Sequence, residues 1–168
     1  MIWKTILVPH DFSSSANHAL AIARDEAKAH GANLMMLHVI EMPLQLLPTS
    51  VIVPQAADSL VGGVANHAVV AEGDVGPISV RDWAIREAER HLADLTARVA
   101  KDGVAAQGFV RIGNAEDEIL KFATEHGVDL IAMGTAGRTG LAHLLIGSVA
   151  ERVVRMSKCA VLTVRAPG

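Results

Sequence analysis

Short, nearly continuous apolar runs alternate along this chain with segments of helical period, and glycine closes most of the latter. Thr5-Ile6-Leu7-Val8, stopped by Pro9, is the first such run, and Asn33-Leu34-Met35-Met36-Leu37-His38-Val39-Ile40 is the second. A strand with one wet face would alternate apolar and polar residues. Runs apolar on both faces belong to strands of a parallel sheet covered by helices. Between these two runs, Asp11-Phe12-Ser13-Ser14-Ser15 supplies candidate N-caps, and a helix predicted over 14–30 sets Ala16, Ala19, Leu20, Ala23 and Ala27 on one face before ending at Gly31. A long helix over 79–101 carries Ile85, Ala88, Leu92, Leu95 and Val99 and stops at Gly103, and a strand follows over 104–112. Asn114, with Asp117 three positions on, opens a third helix that turns Ile119, Leu120 and Ala123 inward and closes at Gly127. A fourth strand over 128–133, a helix over 149–157 and a last strand over 160–164 complete the order β-α-β-α-β-α-β-α-β.

This alternation predicts an α/β fold, a five-stranded parallel sheet with helices on both faces, and right-handed crossovers leave few topologies. The favoured order is 3-2-1-4-5, with 2-1-3-4-5 as the alternative. In the favoured order the winding reverses between strands one and four, and ligands of open α/β sheets bind outside the carboxyl ends at such a reversal. That places Pro9-His10-Asp11 beside Gly134-Thr135-Ala136-Gly137.

At 168 residues the chain is predicted to form one domain over 1–168, interrupted by an insertion at 42–77 between strand two and helix two. The insertion contains Pro43, Pro48, Pro54, Gly62, Gly63, Gly73, Gly76 and Pro77, yet it is too rich in Leu, Val and Ile for a solvated linker. It is read as a packed element near a ligand or a subunit partner, or as a mobile loop. A net charge of −3, with basic and acidic residues interleaved, gives no footprint for nucleic acid. One cysteine, Cys159, permits no internal disulfide. With no signal-like start and no apolar stretch of about 18 residues, the expectation is a soluble cytoplasmic protein without a membrane span.

The segment GTAGRTGLAHLLIGS runs from Gly134 to Ser148. Glycines after a parallel strand can serve only to make turns, with Ser148 only a helix cap. Alternatively, backbone N–H groups at such a turn and at a helix N-terminus form a cradle for phosphate oxygens. In the second reading Gly134 and Gly137 let the backbone approach a phosphate or ribose, Gly147 and Ser148 begin the last helix, and Arg138 adds a positive charge. Asp11 would repel a polyphosphate, but its carboxylate can accept from ribose hydroxyls. The segment lacks the lysine of a Walker A loop, and no G-x-G-x-x-G follows the first strand.

The spacing Gly134-x2-Gly137-x9-Gly147-Ser148 resembles the nucleotide-binding signature of the universal stress protein family, in its ATP-binding branch. ILVPHDFS, LMMLHVIE, IAMGTAGRTGL and GSVAERVVRMSKCAVLTVR extend the likeness to nearly the whole chain outside 42–77. The resemblance implies a Rossmann-like sandwich of the adenine nucleotide alpha hydrolase type. It implies adenine near Val39, bordered by Met133, ribose near Pro9, Asp11 and Gly134, and phosphates at Gly137, Gly147, Ser148 and Val149. It further implies ATP or another adenine nucleotide as ligand, with Mg2+ carried on the phosphates, and a regulatory homodimer in stress response joined through the last strand, Ala160–Val164. That strand would be an exposed apolar edge in a monomer, which physics also disfavours. Two features depart from the family pattern: Ala160 stands where proline often follows, and the connection after strand two is long.

Competing readings are narrower. His10 and His38 lie near neighbouring strand ends, but no carboxylate or thiol is spaced to complete a metal site. Ser148 lacks the G-x-S-x-G elbow, so no catalytic residue is assigned. Slow ATP hydrolysis in the same crevice is the alternative function, although no residue is evident to orient water. A flavin carrier and a purely structural dimer are further alternatives.

Overall fold

A computed structural model describes residues 3–41, 80–135 and 147–165. Its elements in chain order are β1 (Thr5–Pro9), α1 (Ser14–His30), β2 (Asn33–Ile40), α2 (Val80–Lys101), β3 (Ala106–Ile112), α3 (Ala115–Glu125), β4 (Leu130–Gly134), α4 (Ser148–Met156) and β5 (Ala160–Val164). The expected insertion at 42–77 lies outside the described residues, as do Gly137 and Arg138.

All strand pairs are parallel, and the sheet order is β3-β2-β1-β4-β5, the favoured of the two topologies. Side-chain alternation divides the core into two layers. Ile6 and Val8 of β1, Leu34 and Met36 of β2, and Leu130 and Ala132 of β4 face α1 and α2, where Leu20, Ala23, Leu92, Leu95 and Val99 meet them. Leu7, Leu37, Ile131 and Met133 face the other way, against Ile119, Phe122 and Ala123 of α3 and Ala150 and Val153 of α4. Ile6, Leu7, Val8 and Ile131 are fully buried, and each such side chain contributes roughly 1.5–3 kcal/mol. Strands one and four are therefore the centre of the molecule.

Local chemistry sets the helix ends. Ser13 caps α1, its Oγ accepting from the Ala16 amide at 3.2 Å, and Gly31 closes the helix in the left-handed region with φ 66°. Asn114 caps α3 through the Asp117 amide at 3.1 Å, as its sequence spacing predicts. Two strands begin later than expected. Val128 is still donating to Ala123 O, so it belongs to the turn that ends α3, and β4 starts only at Leu130. Val104 is buried against the sheet but precedes the ladder of β3, which starts at Ala106. Asp129 closes the amino end of the sheet, where its Oδ2 accepts both the Lys4 and Thr5 amides at 2.9 Å.

Candidate functional site at the carboxyl ends of β1 and β4

A chain of short contacts joins the loop after β1 to the end of β4. Asp11 Oδ1 accepts from the Ser13 amide at 3.1 Å and from the Ser13 hydroxyl at 2.5 Å. Because a carboxylate only accepts, the Ser13 proton is committed to Asp11, and Ser15 Oγ lies within hydrogen-bond distance of Ser13 Oγ at 3.1 Å. Ser15 is buried against β4, and an ideal Cβ at Gly134 would lie 2.6 Å from its Oγ. Asp11 Oδ2 makes no hydrogen bond among the described residues, which leaves one carboxylate oxygen to receive a ligand hydroxyl.

β4 in turn carries the amino end of α4. The Thr135 amide donates to Val164 O at 2.9 Å, and Thr135 O accepts the Gly147 amide at 2.7 Å. A Cβ on Gly147 would stand 2.9 Å from that same carbonyl oxygen, so this approach is open only to glycine. α4 begins at once with Ser148, and its N-cap residue, Gly147, has no side chain to cap it. Its leading amides and the positive end of its dipole thus sit beside Thr135, an arrangement suited to an anion.

Of the residues singled out in the sequence, those among the described residues lie toward the carboxyl ends of the strands or at the start of α4. Pro9 and Gly134 end the adjacent strands β1 and β4. Asp11 follows Pro9, and Gly147, Ser148 and Val149 open α4. Val39, Met133 and Val149 belong to the same layer of the core, on the α3–α4 side. Gly134 and Gly147 have close-packing reasons to be glycine, independent of any ligand. Ser13, Ser15 and Thr135 were not chosen from sequence. The first two read as caps there, and only the tertiary approach of α1 to β4 reveals that they bridge the two loops.

The Nδ1 atoms of His10 and His38 are both engaged by main-chain groups of the loop. His38 Nδ1 lies 2.7 Å from His10 O and must donate to it, since a carbonyl only accepts. His10 Nδ1 accepts the Phe12 amide at 3.1 Å, and its buried Nε2 has no hydrogen-bond partner of standard geometry among the described residues. Burial pushes the His10 pKa down from 6.5 to about 4, outweighing the opposite pull of the Asp11 carboxylate. Among the described residues no three His, Cys, Asp or Glu side chains are grouped as a metal ion would require. On the α2 side of this loop, His10, Phe12, Asn17, His91, Asp94 and Arg98 border a cavity of about 160 Å³.

Residues 3–165 match the model of the universal stress protein family. The chain belongs to the universal stress protein family. Among its family relatives, universal stress protein MJ0577 of Methanocaldococcus jannaschii is 29% identical over 165 residues, covering 98% of this chain and 96% of that protein. Universal stress protein MJ0531 of the same organism is 30% identical over 167 residues, covering 99% and 84%. The solved structure of MJ0577 aligns with a TM-score of 0.74 at 24% identity, covering 100% of this chain and 99% of that one. A universal stress protein from Archaeoglobus fulgidus in complex with dAMP aligns with a TM-score of 0.60 at 22% identity, covering 98% and 99%. These two likenesses show a shared fold.

Proposed function

We propose that this family member binds an adenine nucleotide at the carboxyl ends of β1 and β4 and acts as a nucleotide-dependent regulatory dimer. The observation that carries the reading is the link of the Asp11 carboxylate, through Ser13 and Ser15, and of the Gly147-capped start of α4 to the two ends of the Gly134-Thr135 segment. An acid placed to accept from a sugar and a helix N-terminus placed to receive phosphates suit opposite ends of one nucleotide. The apolar side chains of Val39, Met133 and Val149, which share one core layer, suit the base. The dAMP bound by the Archaeoglobus fulgidus protein supports the same ligand class. Gly137 and Arg138, and Mg2+ carried on the phosphates, belong to this proposal through the sequence resemblance alone.

The dimer reading rests on β5. It is one edge of the sheet, and Val154 and Met156 of neighbouring α4 are exposed apolar side chains. A second copy placed along Ala160–Val164 would cover that edge. The test of the nucleotide reading is mass spectrometry of the small molecules released when protein purified under native conditions is denatured. Release of an adenine nucleotide in near-stoichiometric amount supports it. Nucleotide-free protein that also gives no calorimetric signal with ATP, ADP or AMP contradicts it.

A further inference from the structure

His10, the residue between Pro9 and Asp11, is buried and borders the cavity on the α2 side of the loop. Phe12 has φ 64°, a left-handed conformation that a bulky side chain rarely adopts and that persists only where surrounding contacts enforce it. Those contacts centre on His10. Its imidazole Nδ1 accepts the Phe12 amide two residues on, the role an Asn or Asp side chain plays in an Asx turn. Its amide donates to Leu37 O at 2.8 Å, and its carbonyl accepts from His38 Nδ1 at 2.7 Å. Both main-chain groups of His10 are thus tied to β2. The residue is 3% exposed, so packing fixes the side chain that makes the third bond. The Phe12 ring is held among three imidazoles, with centroids 5.3 Å from His10, 4.5 Å from His38 and 5.0 Å from His91 of α2.

Asp11 lies between the two residues so fixed. Its orientation is set on the far side by Ser13, which holds Oδ1, and on the near side by the turn that His10 closes. We propose that His10 is a positioning residue of the nucleotide site: by accepting the Phe12 amide proton, its Nδ1 holds the left-handed turn that presents Asp11 Oδ2 at the ends of β1 and β4. The inference rests on the nucleotide reading for its ligand, and on the geometry of the loop alone for the turn.

The acceptor at Nδ1 must come from a neutral ring protonated at Nε2. An asparagine can place its Oδ1 near the same point and accept the same proton, whereas alanine cannot. The experiment compares wild type, His10→Asn and His10→Ala by two readouts. Calorimetry with ATP and with inorganic tripolyphosphate separates the sugar end of the site from the phosphate end. His10→Ala is expected to weaken ATP about tenfold, about 1.4 kcal/mol, with tripolyphosphate affinity unchanged, and His10→Asn is expected to restore most of the ATP affinity. Amide hydrogen exchange at Phe12 and Ser13, referenced to core amides such as Ile131 so that global destabilisation cancels, is expected to quicken in His10→Ala and stay slow in His10→Asn. Unchanged exchange at Phe12 in His10→Ala, or an asparagine variant as defective as the alanine one, overturns the inference. Absence of ATP binding to wild type with the expected exchange pattern overturns the nucleotide reading and leaves His10 as the residue that sets the Asp11 turn.

Discussion

Ser15 Oγ occupies the space that a β-carbon on Gly134 would need: an ideal Cβ there would lie 2.6 Å from Ser15 Oγ, 2.8 Å from its Cβ and 2.9 Å from its backbone carbon. The last contact is with main chain at the first turn of α1 and cannot be relieved by rotating a side chain. Gly134→Ala is therefore expected to force α1 off β4 and cost about 2–3 kcal/mol, read as a lowered urea midpoint. Gly127→Ala, at φ 58° with nothing within 4 Å of its Cβ, is the matched control and should cost about 1 kcal/mol through its backbone alone. Equal losses in the two variants would contradict the close-packing account of Gly134.

His10 gives the stability a defined pH dependence. Its pKa is about 4 in the fold against 6.5 in the unfolded chain, so between these values the unfolded chain binds a proton that the folded chain refuses. The stabilisation from keeping the ring neutral is complete above pH 6.5 and is lost as pH falls toward 4. On going from about pH 7 to about pH 5, wild type is expected to lose about 2 kcal/mol more than His10→Asn, measured by denaturant unfolding of both. Parallel losses in the two proteins would show that the His10 ring is not held neutral by burial.

Asp129 joins the amino ends of β1 and β4. Asp129→Ala leaves the Lys4 and Thr5 amides without their shared acceptor and is expected to cost about 1–3 kcal/mol, whereas Asp129→Asn, which keeps one oxygen, should cost less. Thermal unfolding of the two variants checks the order, and an asparagine variant as unstable as the alanine one would contradict it.

Much of the fold was legible because its signals are local. Ser13 and Asn114 cap through side chains three residues from the amides they serve, and Gly31 closes α1 within one turn. Continuous apolar runs marked the buried strands, and the favoured strand order proved to be the sheet order. Strand starts were less legible, because Val104 and Val128 are as apolar and buried as the strands they precede. Their hydrogen bonding, not their side chains, places them outside the ladder. In the candidate site, sequence alone offered ligand contact or turn formation as reasons for Gly134 and Gly147. The actual close approaches, to Ser15 and to Thr135 O, join segments far apart in the chain and leave no local pattern. The His10–Phe12 bond spans only two residues, but nothing in PHDF distinguishes an imidazole that closes a turn from one that binds an ion.

The nucleotide reading makes its sharpest demand on the amides at the strand ends. Titration of isotope-labelled protein with ATP, followed by amide NMR, tests it directly. Saturable shifts at Asp11, Ser13, Val39, Thr135, Ser148 and Val149, with the amino end of the sheet around Thr5 and Asp129 unmoved, are the expected result. No saturable shifts, or shifts confined to residues away from the ends of β1 and β4, would contradict it.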